Sequence, residues 1–178
     1  MALSNSELLI QAAQREVLES YRKEFDQLCS AFRDLESKAQ GTAALAGAFL
    51  AAGLALFNRS GGLAGQRTEI LLLLGVVGLA GAILFSVLAL RVRRVRGCPS
   101  GGEVARIVDN LKGIEDEKEI SERLLYFYGD TAALWRACVE DRKVANNAKA
   151  RHVWSAQLCL TSAASCVVAL IIVLIVSP

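Results

Sequence analysis

The run ILLLLGVVGLAGAILFSVLAL, Ile70–Leu90, carries no charged side chain and no histidine, and RVRRVR, Arg91–Arg96, follows it at once. As a helix this run is long enough to cross a hydrocarbon core of about 30 Å, and a basic cluster against its end holds such a span at the membrane surface. Two other blocks share the character: Gly41–Phe57, shorter and free of charge, and Ala156–Val176. In lipid only a helix or a closed barrel satisfies its own backbone, and the period-two alternation of barrel strands is absent. Three transmembrane helices are therefore expected.

Composition agrees. Of the 178 residues, 53% are hydrophobic, above the roughly 45–50% of soluble domains. They lie in three blocks while the remainder is densely charged, a split that suits lipid plus water-exposed helices. With a net charge of +2 the total points to no particular partner, and nucleic acid is not expected as one. Only two prolines occur, Pro99 and Pro178, so long uninterrupted helices are the natural reading. No cleavable signal peptide is visible in the polar stretch Met1–Glu7.

Lysines and arginines set the orientation. Five precede the first span, two fall in the loop Asn58–Glu69, and thirteen lie between Arg91 and Arg151. The positive-inside rule puts the N-terminus and the middle segment in the cytoplasm and the C-terminus outside. The expected fold is an all-α integral membrane protein of the cell inner membrane. It has a cytoplasmic N-terminal helix over 1–40, spans over 41–57, 70–90 and 156–176, an outer loop over 58–69, and a cytoplasmic segment with amphipathic helices over 91–155. With so short an outer tail, sensing is expected from inside.

Ser4-x-x-Glu7 is a capping box opening the first helix. Behind it Leu18, Tyr21, Phe25, Leu28, Phe32, Leu35 and Ala39 alternate three and four apart, a heptad seam that another helix must cover, in the same subunit or a neighbour. Gly97-Cys98-Pro99 breaks the middle segment. Ser100-x-x-Glu103 is a second capping box, ahead of a short amphipathic helix with Val104, Ile107, Val108 and Leu111 that Gly113 interrupts. Gly129-Asp130 reads as a turn and cap, and from Thr131 a helix can run unbroken into the third span for about 70 Å. Small residues four apart, Gly47 and Ala51, Gly78 and Ala82, and Ser165 and Ala169, with Ser162 beside them, let helices approach closely within one subunit or between several.

Catalytic chemistry is not evident, and the chain is read as not an enzyme. His152 is the single histidine, beside Trp154 where an interfacial anchor belongs. No phosphate-cradling glycine motif occurs. Cys29, Cys98, Cys138, Cys159 and Cys166 form no C-x-x-C pair and are read as small packing residues, with neither disulfide framework nor metal site. The arginine cluster serves as an anionic-lipid anchor or as part of a phosphate-binding surface. Lys143, Asn146, Asn147, Lys149 and Arg151 form a second basic, polar surface spread over several faces of one helix. Arg94, Arg96, Asn147 and Lys149 are the candidate ligand contacts.

Three motifs carry a resemblance. Asp34-Leu35-Glu36-Ser37-Lys38-Ala39 is similar to the acidic-x-x-x-Lys-Ala entry into the first span of Pycsar-type transmembrane effectors of bacterial antiphage defence. Leu124-Leu125-Tyr126-Phe127-Tyr128-Gly129-Asp130 resembles their aromatic motif after the second span, and Asn146-Asn147-Ala148-Lys149-Ala150-Arg151 their Asn-Ala and lysine-rich entry into the last. The Asn-to-Lys spacing is compressed in this chain. SLATT-type small membrane effectors share the plan. The resemblance implies a membrane effector without a resident cofactor. A cyclic mononucleotide, supplied by a partner cyclase, would bind on the cytoplasmic side, and homo-oligomeric spans would then breach the inner membrane. The residues themselves leave open a scaffold recruiting a partner through the heptad helix. A transporter is disfavoured because no charge lies within the spans and inverted repeats are absent.

Overall fold

A computed structural model of the chain describes residues 5–59, 66–91, 98, 109 and 117–176. Three helices carry it: α1 (Asn5–Arg59), α2 (Gln66–Leu90) and α3 (Glu117–Val176), with no strand among the described residues. α1 runs 55 residues because no proline interrupts it and each helical glycine costs only about 1 kcal/mol. The same arithmetic corrects the expected turn at Gly129-Asp130. Both residues lie inside α3, a helix of 60 residues in which one glycine is outweighed by the helix-forming runs on either side. Residues 58–59 and 66–69, expected in the outer loop, are helical as well. Both capping-box serines, Ser4 and Ser100, lie outside the described residues, as do the helix expected around Val104–Leu111 (Asp109 apart) and the break at Gly97 and Pro99.

The chain divides into two compact units, residues 1–31 with 93–145 and residues 32–92 with 146–178; α1 and α3 contribute to each. In the first unit, the α1 seam predicted from sequence is covered by α3. Leu18 is buried and Tyr21, Phe25 and Leu28 are half-buried, while α3 answers with buried Thr131, Cys138, Val139 and Ala145. Phe25 meets Trp135 edge to face, centroids 5.6 Å apart at 84°, the arrangement that ring quadrupoles prefer.

The second unit packs small residues inward. One cluster joins Ala46 of α1, Leu79 and Ala82 of α2 and Ala163 of α3; a second joins Ala39, Ala89 and Val153. The pairing makes α2 antiparallel to α1 and α3. Buried positions follow heptad steps on each helix: Ala39, Thr42, Ala46; Thr68, Gly75, Leu79, Ala82, Ser86, Ala89; Asn146, Lys149, Val153, Ala156, Ala163. That period is the signature of left-handed knobs-into-holes packing. Thr42 satisfies its hydroxyl on the Lys38 carbonyl at 2.8 Å.

Large apolar side chains point the other way. Leu45, Phe49, Leu54, Leu73, Leu74, Val77, Leu84, Val87, Val168 and Ile172 are all exposed. Two helices are long and apolar enough to cross a membrane, α2 over Thr68–Leu90 and α3 within Glu119–Val173. Only 22% and 11% of their apolar windows are buried within the chain, whereas the core helix of a soluble domain hides such side chains from solvent.

Of the small-residue pairs expected to mediate packing, Gly78 and Ala82 do so. A Cβ at Gly78 would stand 3.0 Å from the Ala163 Cβ and 3.1 Å from the Cys159 carbonyl oxygen, and one at Gly81 3.2 Å from Cys159 Sγ. Gly47 has nothing within 4 Å of a Cβ, and Ala51, Ser162 and Ser165 are exposed. In their place α1 buries Ala39, Thr42 and Ala46, and α3 buries Ala156 and Ala163.

Candidate functional site

Two of the sequence motifs meet in the second unit. The Lys149 side chain is 4% exposed, and its ammonium donates to Glu36 Oε1 at 2.7 Å. The same Nζ stands 3.4 Å from the centroid of the Phe32 ring. A desolvated cation held by a carboxylate and an aromatic face is well satisfied, and removing either support leaves a costly charge behind. Asp34, the acidic residue that the resemblance singles out, is exposed, and Glu36 makes the pair instead. Of the candidate ligand contacts, Asn147 is exposed, two residues from Lys149 and hence on another face of α3. Arg94 and Arg96 lie outside the described residues. Trp154 is exposed and His152 half-buried.

The aromatic motif lies in the first unit. Tyr126 is exposed, while Phe127 and Tyr128 are half-buried with ring centroids 5.7 Å apart. Tyr128 and Leu124 line an open groove of about 390 Å³ with Gln11, Arg15, Glu16 and Glu19 of α1. This size suits a small organic ligand, and the lining offers a ring, a guanidinium and two carboxylates. Arg15 lies 3.3 Å from Glu19, both well exposed; such a pair contributes little to stability and gives way readily to a competing anion.

Polar contacts also tie α1 to α3 within this unit. Lys143 bonds Glu24 at 2.8 Å, and that hydrogen bond chiefly holds its ammonium above the usual lysine range. The guanidinium of Arg142 stacks on Phe25 at 5.7 Å and donates to Cys29 Sγ at 3.3 Å. None of these three contacts was read from the sequence. The only signal is positional: Thr131, Trp135, Cys138, Arg142, Ala145 and Lys149 keep heptad spacing on α3, in residue types that no hydrophobic pattern picks out.

Comparison with protein-family models, curated proteins and solved structures finds no match to this chain. Among the described residues no group of three or more His, Cys, Asp or Glu has the arrangement to hold a metal ion. What the geometry offers is noncovalent: an open groove bearing one ring, one guanidinium and the carboxylates of Glu16 and Glu19, and helices that present apolar faces outward.

Proposed function

We propose that this chain is a three-span membrane effector whose cytoplasmic helices bind a cyclic mononucleotide and whose spans then impair the inner membrane. The observation that carries the reading is the build of the second unit, with small residues at the helix contacts and large apolar side chains outside. Water penalises that arrangement and lipid rewards it. The third span is the Gly41–Phe57 stretch of α1, which is helical throughout and exposes Leu45, Phe49 and Leu54. In this reading the N-terminus and residues 91–155, which carry most of the lysines and arginines, face the cytoplasm.

The groove beside Tyr128 is the ligand's seat in this reading. The ring packs against the base, and Arg15 exchanges Glu19 for the phosphate, a stronger partner for a guanidinium. α1 and α3 each run unbroken from the water-facing residues into the apolar ones. Several copies act together, since three closely packed helices enclose no lumen. Unused close-approach surfaces support assembly: Gly47 and Gly53 stand open on α1, and Thr161, Ser162 and Ser165 are exposed on α3. The protein performs no reaction of its own, and a partner cyclase supplies the messenger.

Against the scaffold reading stands the heptad seam of α1, which is covered within the chain by α3 in one unit and by α2 and α3 in the other. The deciding experiment records membrane potential in cells expressing the chain alone or with cyclases that make different cyclic mononucleotides. Depolarisation with one nucleotide, lost in Arg15→Ala and Tyr128→Ala while membrane insertion persists, is the expected result. A polarised membrane with every nucleotide, the protein being verified in the membrane, removes the proposal.

A further inference from the structure

In the second unit Ala39 of α1, Ala89 of α2 and Val153 of α3 pack into one layer, which fixes a common height on the three helices. Each helix brings a cation to that height: Lys38, Arg91 and Arg151, all exposed. Arg91 continues the last turn of α2, its amide donating to the Val87 carbonyl at 3.1 Å. Because α2 runs antiparallel to α1 and α3, all three cations lie on one side of the layer, Arg91 and Arg151 about 3 Å from it and Lys38 about 1.5 Å. Positions two apart on a helix differ by about 200° around its axis, so Arg91 and Arg151 point away from the seam that buries Ala89 and Val153. None of the three has an ionic partner among the described residues, whereas the buried Lys149 is held by Glu36. Arg33 and Asp34, about one turn before Lys38, are exposed and offset each other. On the other side of the layer Leu45, Val87 and Leu158 are exposed, and Trp154, at the level itself, is 64% exposed. The outer surface thus passes from cationic to apolar within about two turns on all three helices.

We propose that Lys38, Arg91 and Arg151, with Trp154 beside them, form a collar that selects anionic phospholipid headgroups from the bilayer around the second unit. The inference rests on the spans lying in lipid, as in the proposed function, and is independent of the messenger. Cations that face outward from separate helices do not converge on one small soluble anion. They suit a surface of many anions, which is what a leaflet of acidic lipid presents. Each guanidinium donates to headgroup phosphate oxygens in charge-assisted hydrogen bonds. The aliphatic stems of the three side chains lie along the apolar surface while their charged ends stay in water. The Trp154 ring belongs at the same depth, its body apolar and its N–H able to reach a headgroup. A zwitterionic headgroup carries the same phosphate but cancels it with its own ammonium, so net charge decides the selection, and salt weakens it.

The test reconstitutes the full chain into phosphatidylcholine vesicles that contain rising fractions of phosphatidylglycerol or phosphatidylcholine brominated near the headgroup end of the chains. Quenching of Trp154 is read as the difference between the chain and its Trp154→Phe variant. One cation near an anionic surface strengthens binding about fivefold, so brominated phosphatidylglycerol is expected to half-quench at about a fifth of the fraction that brominated phosphatidylcholine requires. Arg151→Gln removes most of that preference, and Lys38→Gln, Arg91→Gln and Arg151→Gln together remove all of it. Taking three exposed cations from the first unit instead, with Lys23→Gln, Arg123→Gln and Arg136→Gln, leaves it unchanged. The two lipids compared on the unaltered chain carry the decision, so a variant that failed to fold would not obscure it. Equal quenching by both lipids overturns the collar and leaves the membrane reading standing. Quenching by neither shows Trp154 out of reach of acyl chains and overturns both. Inorganic phosphate that abolishes the preference, where sodium chloride of equal ionic strength does not, would assign the cations to a soluble anion and overturn the lipid assignment.

Discussion

At Lys149 the decisive quantity is the charge that a substitution leaves behind. Its side chain is 4% exposed, whereas that of Glu36 is 35% exposed and retains access to water. Glu36→Leu strands a buried ammonium, and breaking a buried pair from one side costs about 3–5 kcal/mol. Lys149→Met leaves a carboxylate that water still reaches and places a thioether against Phe32, a contact that recovers about 1 kcal/mol. Thermal unfolding in detergent is expected to show Glu36→Leu losing at least twice the stability that Lys149→Met loses. Equal losses would mean that the pair is not the source of either effect.

Helix contacts in the second unit rest on side-chain size. Gly78 of α2 faces the Ala163 Cβ and the Cys159 carbonyl, and a methyl group there meets both at contact limits. Because one neighbour is backbone, α2 and α3 must separate to admit it. Overpacking of this kind costs about 1–3 kcal/mol. A Cβ at Gly47 on α1 would meet nothing within 4 Å, and exchanging a helical glycine for alanine there gains about 0.5–1 kcal/mol. The two substitutions, Gly78→Ala and Gly47→Ala, are therefore expected to shift the unfolding midpoint in opposite directions. A fall for Gly47→Ala would show that this glycine is already occupied by another copy in the resting protein, before any ligand binds.

For the molecule as a whole, the number of spans determines on which side each segment lies. If α2 and α3 alone cross the bilayer, the N-terminus and residues 60–65 lie on the same side. If Gly41–Phe57 crosses too, they lie on opposite sides, because each crossing reverses the chain. Reporter fusions after Met1, after Gly62 and after Asp109 separate the two arrangements. The three-span reading expects the first and third inside and the second outside, and a Gly62 fusion reporting from the inside would reduce the count to two. The same fusions, carried in a protein that resists alkaline extraction from membranes, establish that the exposed leucines and valines of α2 and α3 meet lipid.

The apolar blocks, the all-helical character and the α1 seam from Leu18 to Ala39 were legible in the amino-acid order alone, because each is a property of a contiguous stretch with its own period and charge. The continuity of α3 through Gly129, the Lys149–Glu36 pair and the Arg142–Cys29 contact required the folded chain. The α3 seam shows why. Its buried positions include Thr131, Cys138, Asn146, Lys149 and Ala163, while Leu134, Val144, Leu158 and Ile172 face outward. Where the outer face is as apolar as the inner one, hydrophobicity carries no direction. What selects the inward residues is the room between neighbouring helices and the partner that each polar group finds there, and both exist only once α1, α2 and α3 have come together.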